Sequence, residues 1–132
     1  MQVRSIKNPS EFVSWNVKAS KWPMKGENSR SKIQNSVGQI LKEKFPYDPI
    51  LEDITIPQSR LSLDFFIPHR KIAIEVQGSQ HDEFNSFFHS TKAAFHKQKQ
   101  RDSDKRSFCE MNNITLIEVR NIGELKEALD VC

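Results

Sequence analysis

Two apolar segments, LSLDFFI (61–67) and KIAIEVQ (71–77), are separated only by Pro68, His69 and Arg70. They constrain this chain more than any other feature. A connector that short leaves each strand the other as its nearest partner, so a hairpin is expected. In the second strand Ile72, Ile74 and Val76 alternate with Lys71, Ala73, Glu75 and Gln77, which puts Glu75 and Gln77 on one face. Each strand carries a carboxylate within its apolar run, Asp64 in the first and Glu75 in the second. Burying a carboxylate is costly unless something compensates it. Two converging carboxylates, followed by Gly78 and then His81, point to a divalent cation as the compensator.

The flanking pattern places this pair in an α/β fold. Ile33, Val37, Ile40 and Leu41 have helical spacing over 31–44, and Pro46 stops that helix. ILEDITI (50–56) reads as a strand ahead of the hairpin, 91–112 as one long helix, and ITLIEV (114–119) as a buried strand. Asn121 is placed to cap a final helix. The order helix, three strands, helix, strand, helix predicts an αβββαβ sandwich around a mixed central sheet. Residues 1–28 are expected to form a basic N-terminal extension, with a short helix over 11–17 capped by Ser10, and 29–132 a single catalytic domain.

With 132 residues the chain is long enough for one domain with one core. It has no apolar run of membrane-spanning length and no signal-peptide pattern in MQVRSIKNPSEF, so a cytoplasmic location and no membrane partner are expected. Cys109 and Cys132 form neither a disulfide framework nor a zinc motif, and Cys109 is expected in the core.

Charge is unevenly distributed. Residues 1–44 carry nine Lys or Arg against three acids, and 45–132 carry eleven against fourteen. A basic segment beside an acidic one suits a phosphate-binding surface next to a metal site. Lys21, Trp22, Lys25, Arg30 and Lys32 are the candidate DNA contacts in the first third, with Trp22 as a base-stacking or core residue and Trp15 as core. In the long helix, Lys97, Lys99, Arg101 and Lys105 are the candidate phosphate contacts.

The chemistry expected of the pair is phosphodiester hydrolysis. Asp64 and Glu75 would hold Mg²⁺ or Mn²⁺, with the carbonyl of Val76 as a further oxygen ligand and His81 as general acid or base. The stretch LDFFIP…KIAIEVQGSQH resembles the catalytic core of the PD-(D/E)xK nuclease superfamily. It is most similar to the branch holding very-short-patch-repair and phage homing endonucleases. The resemblance spans roughly residues 29–120 and rests on Asp64, KIAIEVQG, His81, Arg101-Asp102 and the downstream DKRSFCEMNNITLIEV. It implies a restriction-endonuclease-like core and a metal-dependent endonuclease acting on double-stranded DNA, as monomer or homodimer, with a further recognition domain or subunit as an option. It also implies a site role for Asp102, orienting His81 or binding a water.

Two positions depart from that pattern. The lysine expected two residues after the second acid is Gln77, which has no charge to activate water. His81, Lys97 and Lys99 are the substitutes considered. The glutamate expected in the first helix is Gln34. Two further functions therefore stand beside the nuclease. One is a catalytically weakened DNA-binding module of the same fold, and the other a junction-specific resolvase.

Overall fold

The computed structural model describes residues 1–77 and 91–130. The chain begins with a two-stranded antiparallel ribbon, β1 (Gln2–Arg4) and β2 (Phe12–Ser14). Helix α1 (Lys32–Lys44) follows, then β3 (Leu51–Thr55), β4 (Ser62–Ile67) and β5 (Ile72–Val76). Helix α2 (Lys92–Met111), β6 (Thr115–Val119) and α3 (Ile122–Asp130) complete it. The main sheet has the order β3-β4-β5-β6, with two antiparallel pairings and a parallel β5–β6 pair, as the mixed-sheet expectation requires.

Local chemistry explains the boundaries. Ser31 accepts the Gln34 N–H at the start of α1, Thr91 accepts the Ala94 N–H at the start of α2, and Asn121 accepts the Glu124 N–H at the start of α3. Each satisfies a donor that the first helical turn leaves open. The expected helix over 11–17 is instead strand β2. Val13 pairs with Val3, and Trp15 is buried, stacking on Phe66 at 4.8 Å and meeting Phe108 edge-on at 5.3 Å. Its indole N–H reaches the Thr55 carbonyl at 2.8 Å. These long-range contacts outweigh a weak local helical signal.

The sheet separates two apolar clusters. On one face Val37 and Leu41 of α1 and Leu125 and Leu129 of α3 pack with Phe65, Ile67, Ile72 and Ile74. On the other, Phe108 and Cys109 of α2 pack with Leu51, Ile54, Leu63, Phe66 and Ala73, joined by Val3 and Trp15. Residues 1–28 are thus built into the core at Val3 and Trp15. No helix among the described residues is long and apolar enough to cross a membrane.

Gly38 lies where α1 approaches the sheet closely. A Cβ there would lie 3.0 Å from Met24 Cε and 3.1 Å from Cζ of the fully buried Phe65 ring. Gly38→Val is expected to lower stability by about 1–3 kcal/mol through overpacking. Urea unfolding with an unchanged m-value would show it.

Candidate functional site: a row of acids beside a basic cleft

Strand register lines up acidic residues across the sheet. Pairing of Glu52 with Phe65 and Ile54 with Leu63 sets Asp53 opposite Asp64. One step beyond the Phe65–Ile74 pair, Asp64 faces Glu75, and Glu75 pairs with Glu118. Four strands therefore contribute one carboxylate each at the same level. Asp64 and Glu75 are buried.

The sheet is irregular at this level. In a regular strand Leu63 and Phe65 would share a face. Here they belong to opposite clusters, and on β3 Leu51 and Ile54, an odd number of residues apart, share one. Asp53 has φ 52°, a left-handed conformation that Asp tolerates better than most residues. Between β4 and β5 the two acids take over from the backbone ladder. The Asp64 N–H donates to Glu75 Oε2 at 2.8 Å, and the Val76 N–H donates to Asp64 Oδ2 at 2.8 Å. Each carboxylate thus fastens the other's strand.

Cations from the flanking elements meet this row. Arg30 donates to Asp64 Oδ1 and lies 3.4 Å from Asp53 Oδ1. Lys25 Nζ is 2.6 Å from Asp53, and Lys105 Nζ, on α2, is 2.6 Å from Glu75 Oε1. Arg106 binds Glu118 through Nε at 2.5 Å and Nη2 at 2.7 Å. Burial first, and then the Asp64 charge, push the Glu75 carboxyl from its ordinary value of 4.5 up to about 7, against the pull of Lys105. Burial also pushes the Cys109 thiol up to about 12, so at neutral pH it is a core group rather than a nucleophile.

A second buried acid supports the first. Glu52 Oε1 accepts the Lys25 N–H at 2.8 Å, while Oε2 accepts Ser29 Oγ at 2.7 Å and Gln34 Nε2 at 2.8 Å. Those three donors bracket Arg30. Glu52 therefore ties the segment 25–34 to β3 and holds the Arg30 backbone near Asp64.

Beside the carboxylates lies a cleft of about 260 Å³, lined by Arg30, Arg60, Leu61, Ser62, Gln98, Arg101, Asp102 and Lys105. Gln98, Arg101, Asp102 and Lys105 follow the i, i+3, i+4, i+7 spacing of one stripe on α2. Arg30 and Lys105, which touch Asp64 and Glu75, also line this cleft.

The structure brings together Asp64, Glu75, Arg30, Lys105 and Asp102 among the residues expected from sequence. Val76 is held there through its N–H. Gln77, just past the end of β5, donates its amide to Glu118 of the acid row at 2.5 Å and lines a cleft with Arg106, Arg120 and Glu124 rather than the one beside Asp64 and Glu75. Gln34 meets Glu52 and Asp53 (3.2 Å) rather than the Asp64–Glu75 pair. Lys32 lines a neighbouring cleft with Arg30 at the start of α1. Trp22 is half-buried against the core, its N–H bound to the Asn16 carbonyl and its ring under Lys21. Lys97 and Lys99 lie on the first half of α2, Lys99 over the Phe95 ring. Gly78 and His81 lie outside the described residues.

Glu52, Asp53, Arg60 and Glu118 escaped the sequence reading. The signal for the first two was present: ILEDITI holds two acids in an apolar strand, the same anomaly that singled out Asp64.

The described oxygen donors at the pair are Asp64 and Glu75 with adjacent backbone. Among the described residues no group of three His, Cys, Asp or Glu side chains is disposed to hold a metal ion. Two hard carboxylates nonetheless fit Mg²⁺, which keeps several waters and commonly takes one or two carboxylates plus substrate phosphate.

Comparison with known proteins gives viral relatives. The chain is 46% identical over 59 residues to Uncharacterized protein 307L of Invertebrate iridescent virus 6, a match covering 45% of this chain and 30% of that protein. It is 42% identical over 64 residues to Uncharacterized protein 033L of Invertebrate iridescent virus 3, covering 48% and 33%. Against Uncharacterized protein 094L of Frog virus 3 it is 45% identical over 60 residues, covering 45% and 39%. The matches thus span about a third of the length of these relatives. No family profile and no solved structure matches the chain.

Two outcomes follow from this geometry. Glu52→Ala leaves three donors without their acceptor and is expected to cost about 1–3 kcal/mol, measured by denaturant unfolding, with Glu52→Gln costing less. For Glu75, a folded-state value above the unfolded one means that the native state binds the proton more tightly. Its stabilising contribution is complete below pH 4.5 and is lost as pH rises towards 7. Glu75→Gln should remove that decline from the stability–pH curve; an unchanged slope would show that Glu75 is not its source.

Proposed function

We propose that the protein is a metal-dependent nuclease that hydrolyses phosphodiester bonds in DNA. The observation that carries this reading is the buried Asp64–Glu75 pair, fixed by reciprocal backbone hydrogen bonds and opening beside a cleft lined by four cationic side chains. Asp64 and Glu75 are the residues to hold Mg²⁺ or Mn²⁺. Bound there, the cation supplies an activated water and charge to offset that on the phosphoryl oxygens.

The chain's own groups do the remaining work. Lys105 takes the place left by Gln77, since its ammonium is the one on Glu75. From there it can orient a water or neutralise a phosphoryl oxygen. Arg30 steadies Asp64 and lines the cleft, so it can meet the substrate from the opposite side of the pair. Asp102, buried on the same α2 stripe, stands next to Arg101 and within a turn of Lys105.

A DNA-binding module with a weakened site is the second reading. It is favoured by one observation: both glutamines at the departing positions are engaged with other acids, Gln34 with Glu52 and Gln77 with Glu118. The retained pair and the presence of Lys105 weigh for activity.

Incubation of supercoiled plasmid with Mg²⁺ or Mn²⁺ separates these. Wild-type protein is expected to nick or linearise it, and Asp64→Ala, with Asp64→Asn as the fold-preserving counterpart, to lower the rate by about 10²-fold or more. DNA binding without cleavage by the wild type would select the second reading.

A further inference from the structure

Arg60 has no part in the carboxylate pair, yet it shares a cleft with the two cations that do. It sits on the turn between β3 and β4, and Arg101 faces the same cleft from α2. Both are exposed, and neither has an ion-pair partner among the described residues. Arg30 and Lys105, by contrast, are committed to Asp64 and Glu75. The cleft therefore has two kinds of cation, one pair bound to the acids and one pair with no acidic partner among the described residues.

The lining suits an anion. Among the described residues Leu61 is its single apolar side chain, and the rest of that lining is polar or charged, which suits an anion better than an apolar ligand. Guanidinium forks match phosphate oxygens in a bidentate geometry. Two forks borne by separate elements can grip one group from two sides. At about 260 Å³ the space is small, which suits a backbone phosphate unit better than a whole base-bearing nucleotide.

We infer that Arg60 and Arg101 form a subsite for a DNA backbone phosphate flanking the one that reaches Asp64 and Glu75. This rests on the DNA reading of the site, but not on catalysis. The subsite sets where the strand lies relative to the carboxylate pair. It contributes register and affinity without reading a base, as phosphate contacts do.

The test is binding of a short fluorescent DNA duplex, measured with EDTA present and over a range of salt. The comparison is among wild type, R60A/R101A, and K42A/K126A, which removes the same charge elsewhere on exposed positions. The double arginine variant is expected to bind at least about tenfold more weakly. Its slope of log affinity against log salt should fall by about two, one unit for each arginine removed from the phosphate. The lysine variant should stay within about twofold of wild type by the same electrostatic reasoning. Circular dichroism would confirm that the exposed substitutions leave the fold intact. Equal losses in the two variants, an unchanged salt slope, or no duplex binding by wild type would overturn the subsite. Failure of plasmid cleavage with the R60A/R101A binding defect intact would sink the nuclease reading alone. Cleavage that persists while R60A/R101A binds like K42A/K126A would sink the subsite alone.

Discussion

The row Asp53, Asp64, Glu75 and Glu118 is the constraint on which the rest of this structure depends. Carboxylates gathered on adjacent strands repel one another and lose hydration when covered. The chain answers with cations from every flanking direction: Lys25 and Arg30 from the segment before and at the edge of α1, Lys105 and Arg106 from α2. Hydrogen bonds from the Asp64 and Val76 amides complete the arrangement. An ordinary sheet of this size would place apolar side chains at that level. The acids are thus a cost to the core that the fold carries with polar support on both sides.

Support of this kind is layered. Glu52 does not touch the Asp64–Glu75 pair, yet it fixes the segment that delivers Arg30 to it. A buried acid that accepts from two side chains and one backbone amide behaves as a structural joint. Gln34 belongs to that joint. A neutral amide there donates to Glu52, which a carboxylate could do only when protonated. Physically, then, the glutamine suits a site in which Glu52 already supplies the negative charge.

Much of this was legible in the sequence. Helical spacing marked α1, alternation marked β5, and short apolar runs marked β4 and β6, although β4 and β5 are covered on both faces. The acid pair was visible because charged residues in apolar strands are anomalous. The ribbon β1–β2 was not visible, since three-residue strands have too little pattern and Trp15 is positioned by Phe66 and Phe108, far along the chain. Lys105 and Arg60 were equally hidden in their roles. A lysine in HKQKQRDSDKR looks like any solvated helix residue until the sheet brings Glu75 beneath it.

The contacts that neutralise the pair join residues distant in sequence, 34 positions apart for Arg30 and Asp64 and 30 for Lys105 and Glu75. Neither can form within a local hairpin or an isolated helix. Both therefore require the flanking segments to be docked on the sheet, at the entropy cost of closing those loops. The β4–β5 hairpin alone would hold two repelling carboxylates with no counter-charge, and its strands would be least stable at that very end. The site therefore exists only when the segment before α1, the sheet and α2 have docked, and a partly folded chain has no competent version of it.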